Sequence, residues 1–299
     1  MQANMGMAGE FRCVVKRADG STKLDTGYQK NLILDQGLNV FGGNTDVTSK
    51  CAIGSGNSTP IVTQTRLDYP VKTVNRAESY YSLKNDYDQT KDGNFYKTNK
   101  VVRFVFNDLN NVNISEIGLT NSGDVLFSRA LIKGGNGQPT TITVLSGEIL
   151  EIYYKLWMVT DLTPKTGGIN VSDGVGNNTA YNYKVTPTRV AHQSAWSVYI
   201  GYSPKYVSAS FYDGIPDSSP SGFTNTTNAY IDKSYKKIIN FIYDVNSGNG
   251  VIDMLIATSV GCYQINFTSV ADGSPITKTK TQTLTIPIEL SWGRYEGAL

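Results

Sequence analysis

The chain has 299 residues, with 27 Lys and Arg against 25 Asp and Glu, a net charge of +2 and one histidine. That near balance leaves no basic footprint for nucleic acid, and the three cysteines, Cys13, Cys51 and Cys262, argue against a disulfide framework and match no zinc spacing. Charged residues make up only 17%, against roughly a quarter in ordinary soluble domains, while 19 tyrosines stand among abundant Gly, Ser, Thr and Asn, a surface better suited to lasting contact with other protein than to free diffusion.

The first residues, MQANMGMAGEF, have neither the basic nor the apolar segment of a signal peptide. No apolar run reaches the roughly 18 residues of a membrane helix. A soluble protein of a reducing compartment is therefore expected, with no membrane or nucleic-acid partner. NLILDQGLNVFGG (31–43) is expected to form one short helix ending at Gly42 and Gly43. IGSGN (53–57) lacks the lysine and the strand–helix setting of a phosphate loop, so its glycines are assigned to a turn. In GSGNSTPIVTQTRLDYP (54–70), Thr59 as N-cap, Pro60 at the first position and Pro70 as a stop predict a second short helix.

ESYYSLKNDYDQTKDGNFY (78–96) concentrates tyrosines; Tyr80, Tyr81, Tyr87 and Tyr96 are candidates for a contact surface, with lining of a sandwich core as the alternative. Asp86 and Asp88 lie beside them, in the manner of some sugar sites, but loop carboxylates next to Tyr are also ordinary solvent-facing residues. TTITV (140–144) and EILEIYYKLWM (148–158) both alternate, with Leu150, Ile152, Tyr154, Leu156 and Met158 on the inner face, and LSGE (145–148) is expected to join them as a hairpin. Thr163 to Asn178, rich in Gly, Pro and Asn, is expected to be a linker between domains at 1–162 and 179–299.

His192, the single histidine, has Ser194 nearby but no nucleophile-elbow glycines, so no catalytic residue is assigned. YSPKYVSASFYDGIPD (202–217) supplies the contact candidates Tyr202, Tyr206 and Tyr212, and a second carboxylate pair, Asp213 and Asp217. KSYKK (233–237) reads as a solvated strand edge. DVNSGNGVID (244–253) has the oxygen-rich start of a calcium loop, with Asp244, Asn246 and Asp253 as ligand candidates. Gly248 and Leu255 stand where further acids belong, and a hairpin turn at NSGNG explains the same residues. No cofactor is expected. Finally, TLTIPIELSW (283–292) puts Leu284, Ile286, Ile288, Leu290 and Trp292 on one face, while Pro287 requires an edge position or a missing donor turned outward.

KVVRFVFNDLN (100–110) resembles KKIINFIYDVN (236–246) at one offset of 136, pairing Val102 with Ile238, Val105 with Phe241, and Asp108 with Asp244. EIGLTNSG and DMLIATSVG follow, then GQPTT and GSPIT. This reads either as a tandem duplication or as the shared alternation of two sheets. The fold class is all-β: two antiparallel β-sandwich domains with one or two short helices.

In order, NLILDQGLN, GSGNSTPIVTQTRLD, ISEIGLTNSGDVLFSRALI, QPTTITVLSGEILEIYYKLWM and the final LSWGRY resemble tailed-bacteriophage virion proteins of the tail, tail-fibre or baseplate kind. The resemblance covers most of 20–160 and, more faintly, the last strand. It implies a β-sandwich held in a symmetric homo-oligomer, in contact with other virion proteins in the tail region and assembled in the bacterial cytoplasm. It carries over no catalytic, cofactor or metal residue. A host-surface polysaccharide-binding module is the alternative, with a glycan depolymerase or a head decoration protein behind it.

Overall fold

The computed structural model describes residues 1–43, 46–77, 90–172, 176–190, 201–205, 224–247, 249–252, 254–258 and 261–299. The first elements are β1 (Gln2–Lys16), β2 (Thr22–Asp25), β3 (Gln29–Lys30), β4 (Leu32–Ile33), α1 (Asp35–Gly42), β5 (Lys50–Gly54) and β6 (Pro70–Asn75). β7 (Thr90–Asp92), β8 (Phe95–Phe106), β9 (Val112–Ile114), β10 (Glu116–Thr120), β11 (Leu126–Leu131), β12 (Ile142–Val144) and β13 (Ile149–Asp161) follow. After them come β14 (Lys165–Ser172), β15 (Asn178–Val190), β16 (Gly201–Lys205), β17 (Thr224–Thr227), β18 (Lys236–Tyr243), β19 (Gly250–Ile252), β20 (Met254–Thr258), β21 (Gly261–Ser269), β22 (Ile276–Lys278) and β23 (Leu284–Arg294). The fold is all-β, and α1 is the one α-helix among the described residues.

Two compact units emerge, each built from separated stretches rather than from 1–162 and 179–299. The first comprises Gly6–Asp88, Thr98–Val159 and Gly293–Leu299; the second comprises Met1–Met5, Gln89–Lys97 and Thr160–Trp292. The stretch expected as a linker holds β14, which pairs with β15 from Lys165↔Val185 to Ser172↔Asn178. Gly167 serves packing there: a side chain on it would run into the ring of Tyr183, its cross-strand partner.

In the first unit, β1 pairs antiparallel with β13 from Gly6↔Val159 to Lys16↔Ile149; β8 lies beyond β13, and β2 and β3 pair along β1. The second sheet has the order β4–β11–β10–β5–β6. The inner face expected of β13 is as predicted, with Leu150, Ile152, Tyr154, Leu156 and Met158 all buried. Tyr154 crosses the core to donate to Ser128 Oγ at 3.1 Å. Cys13 and Cys51 are buried free thiols, and burial pushes both well above the usual range.

In the second unit, β18 pairs with β17 and β23, and the other sheet runs β14–β15–β21–β20–β16. The inner face of β23 is as predicted, from Leu284 to Trp292. Pro287 is not on an edge strand. One flank of β23 pairs with β18, Asn240 facing Pro287; on the other, Pro287 O accepts the Met1 amine at 3.1 Å and Glu289 N donates to Met1 O at 2.7 Å. Bonding of one residue to both neighbours of its opposite number is the parallel pattern. Proline's missing donor falls on this flank, beside Met1, so no ladder bond from β18 is lost.

The repeat is visible in the pairing. In both β7–β13 and β17–β23, the first strand pairs with the second, the second with the seventh, the third with the sixth and the fourth with the fifth. β5 and β16 then flank the fourth strands, and β4 and β15 the fifth. Asp108 and Asp244 occupy the same connection, between second and third strands. The residue matching, however, is one position out. Val102, Phe104 and Phe106 point into one core, and their counterparts are Ile239, Phe241 and Tyr243, so Val102 does not match Ile238, nor Val105 Phe241. Because side chains alternate, a slip of one reverses every face. The extra residue belongs in the connection after β18, which is longer by one than that after β8.

Two expected hairpins are instead passages between sheets: β12 pairs with β9 and not β13, and β19 pairs with β22 and not β18. The turns exist, with Gly147 at φ 78°. Alternation fixes which face a strand buries, but not which strand lies beside it.

α1 forms as expected, its Gly37 pressed against the Phe127 carbonyl. The second helix does not form. Residues 55–69 are instead an irregular loop held by a buried ion pair. Arg129, with no side-chain exposure, donates to Glu116 Oε2 at 2.8 Å, Asp68 Oδ2 at 2.7 Å and Gln64 Oε1 at 2.8 Å. Glu116 in turn accepts the backbone N–H groups of Gly56 at 3.0 Å, Asp68 at 3.2 Å and Tyr69 at 2.9 Å. These charge-assisted bonds take donors that a helix would direct elsewhere. Arg129→Met is expected to destabilise the protein by about 3–5 kcal/mol, because it leaves the Glu116 carboxylate buried without its cation. Urea unfolding measures this, and a change of only a few tenths would refute it.

Candidate interaction surface

The alternation that buries the even positions of β13 turns Tyr153, Lys155 and Trp157 to its other face, where all three are half-buried. Their partners on β1 are Arg12, Glu10 and Ala8. Between β2 and β3, Gly27 adopts φ 64° and its N–H is taken by Asp25 Oδ1 at 3.0 Å. A left-handed residue of this kind is cheap only for glycine. Thr26 stands in for a ladder partner, its hydroxyl accepting from Cys13 N at 2.9 Å. The irregularity brings the half-buried Tyr28 ring beneath Lys155, whose Nζ lies 3.7 Å from the ring centroid and 6.0 Å from that of Trp157.

Every charge in this row is engaged. Trp157 Nε1 donates to Glu10 Oε2 at 2.8 Å. Arg12 grips Asp25 with two bonds, the Nε–Oδ1 bond 2.8 Å long, and its guanidinium lies 5.8 Å from the Tyr153 ring. Tyr153 donates to Glu151 Oε2 at 2.9 Å, and Glu151 also meets Lys16 at 3.1 Å and Arg103. Burial works against the Glu151 charge, but hydrogen bonds from Arg103, Lys16 and Tyr153 outweigh it and hold the carboxyl below its usual range. Burial, and then the bond to Glu151, raise Tyr153.

The row pairs flat rings with fixed cations and carboxylates. Cation–π contacts contribute about 0.5–2 kcal/mol each, according to desolvation, so the rings are held in place by the protein itself. Among the described residues no group of three His, Cys, Asp or Glu is placed to hold a metal. A cavity of about 270 Å³ also opens in the first unit beside Lys30, Asn31, Arg294 and Tyr295. Its cations are committed to the protein itself, Lys30 to Gly297 O at 3.1 Å and Arg294 to Asp35 and Ile33 O.

Sequence reasoning pointed to other tyrosines. Tyr80, Tyr81, Tyr87, Tyr206 and Tyr212 lie outside the described residues, as do Asp86, Asp88, His192, Ser194, Asp213, Asp217 and Asp253. Tyr202 has a described backbone place in β16, opposite Ala257. Tyr96 is half-buried on β8 opposite Lys91, in the second unit. Asp244 accepts from Asn246 N at 2.8 Å, a tight turn closed by its own carboxylate. In IGSGN, the Gly56 N–H that a phosphate would need is occupied by Glu116. The row around Trp157 was missed, although the odd positions of YYKLW carry it.

No protein-family model, curated protein or solved structure matches this chain.

The hydrogen bonds from Arg12 hold Asp25 at about 2, below its ordinary 3.8. A carboxyl depressed on folding stabilises the protein above its unfolded pKa, and that contribution fades as pH falls from about 4 to about 2. The contribution is small because both groups are over a third exposed. NMR titration is expected to place the Asp25 midpoint near 2 and to return it towards 3.8 in Arg12→Met; an unchanged midpoint in the variant would disprove the coupling.

Proposed function

We propose that the chain is a structural component of a bacteriophage virion, of the tail, tail-fibre or baseplate/adaptor kind, that assembles by protein–protein contacts into a symmetric homo-oligomer. The observation that supports this reading best is the outward row of Tyr28, Tyr153, Trp157 and Arg12, residue types that dominate binding energy at protein interfaces. It is preorganised by its own ion pairs, so little side-chain freedom is lost on contact. The duplicated β-sandwich, the low charge content and the sequence resemblance across 20–160 agree with such a part.

A sugar-binding module for host-surface polysaccharide is the second reading. It is favoured by the same Tyr28 and Trp157 rings, which could stack on sugar faces while Glu10 takes hydroxyls.

Native mass across a concentration series separates the two. The wild-type chain is expected to form a closed oligomer, and Trp157→Ala to weaken its association about 30-fold, the effect of one hot-spot residue. A chain that stays monomeric at every concentration and binds host polysaccharide through Trp157 would replace the structural reading with the second.

A further inference from the structure

Lys278 closes β22, opposite Gly250 of β19, and is 3% exposed. A lysine is almost never buried this deeply without a paired carboxylate. Yet its two acceptors are neutral: Asn249 Oδ1 at 3.0 Å and, at the limit of hydrogen bonding, Thr279 O at 3.4 Å. Among the described residues no carboxylate lies within ion-pair distance of it. The other repeat shows what this position otherwise holds. There the pair corresponding to Gly250↔Lys278 is Val112↔Val144, with Val144 fully buried. A buried apolar position has thus been given a long amine whose head touches a single side-chain amide.

That amide is held at both ends. Asn249 Oδ1 accepts from Lys278, and Asn249 Nδ2 donates to Val245 O at 3.0 Å. The plane of the amide is therefore fixed next to the amine. Ile276, Leu284, Tyr181 and Val171 line the cavity that Lys278 borders. Burial lowers the Lys278 pKa, with the Asp244 charge opposing it, which favours the neutral nucleophilic amine.

We propose that Lys278 and Asn249 join in an intramolecular amide bond, a covalent strap between β22 and the start of β19. The Nζ lone pair attacks Asn249 Cγ, the Nζ–Cγ bond forms, the Cγ–Nδ2 bond breaks, and one Nζ proton passes to Nδ2, which leaves as ammonia. No oxidant, reductant or further reactant is consumed. Proximity is the catalyst, since the amine and the carbonyl are already in contact before reaction. The strap is independent of the role proposed above.

Intact-mass measurement on the purified, folded chain tests this directly. The chain is expected to be lighter than its sequence by one ammonia. Tryptic digestion is expected to yield a branched peptide that joins Asn249 to Lys278, with no cleavage after Lys278. Lys278→Arg, which keeps the charge but cannot form this bond, is expected to restore the full mass. A full-mass wild-type chain would overturn the proposal. So would an ammonia loss that persists in Lys278→Arg, which marks cyclisation at Asn249–Gly250 instead. If Lys278→Arg does not fold, the wild-type peptide map decides alone: a free, cleavable Lys278 refutes the strap.

Discussion

A guanidinium with no exposure to water must find its charge and its hydrogen bonds inside the protein, and Arg129 finds both. Glu116 supplies the counter-charge from the neighbouring strand, because Gly118↔Arg129 and Glu116↔Leu131 are registered pairs of one hairpin. The requirement then spreads outward. Asp68, Gln64 and Ser58 are drawn in to complete the fork, and the N–H groups of Gly56, Asp68 and Tyr69 complete the carboxylate. A loop of some fifteen residues gains a fixed path without regular structure of its own, because a buried charge tolerates no vacancy. Gly54 and Gly56 follow from the same cause, since a side chain on either would strike Glu116.

The second repeat keeps the strand pairing but not the fork. Where the first has Glu116 and Arg129, the matching pair positions hold Met254 and Gln264, and no fork is built. Where the first has Val112 and Val144, the second has Gly250 and Lys278. Among the described residues, each repeat therefore carries an unusual polar insertion at a different place in an otherwise shared frame. Shared pairing with divergent polar chemistry fits copies of one ancestor that have specialised. The alternation common to any two sheets does not reproduce the same set of strand partners.

Much of the frame was legible in the residues. The alternation in EILEIYYKLWM and TLTIPIELSW placed ten inward side chains correctly, because a strand with one buried face must repeat every second residue. What that period cannot carry is the identity of the neighbour, hence the misjudged hairpins at LSGE and NSGNG. Thr59 and Pro60 are honest helix-start signals, overruled by tertiary bonds from Glu116, sixty residues from Gly56 along the chain. Charged residues read as surface by default, and nothing in the local pattern marks Arg129 or Lys278 as buried. The Trp157 row was readable: once the even positions of β13 face inward, the odd ones must face out. Runs dense in tyrosine are conspicuous in composition but carry no geometry.

The parallel seating of β1 beside β23 has a consequence for how the chain reaches this state. Met1 bonds to Pro287 across a sequence separation of 286 residues. Contacts of such separation form late, since the loop they close must first be ordered by others. During synthesis the Met1 end of β1 has no partner for these backbone groups until Pro287 and Glu289 have been made. The segment Gly6–Lys16, whose partner β13 precedes β23 by more than a hundred residues, can be recruited earlier. A single strand is thus claimed in two instalments, its far end by β13 and its near end later by β23.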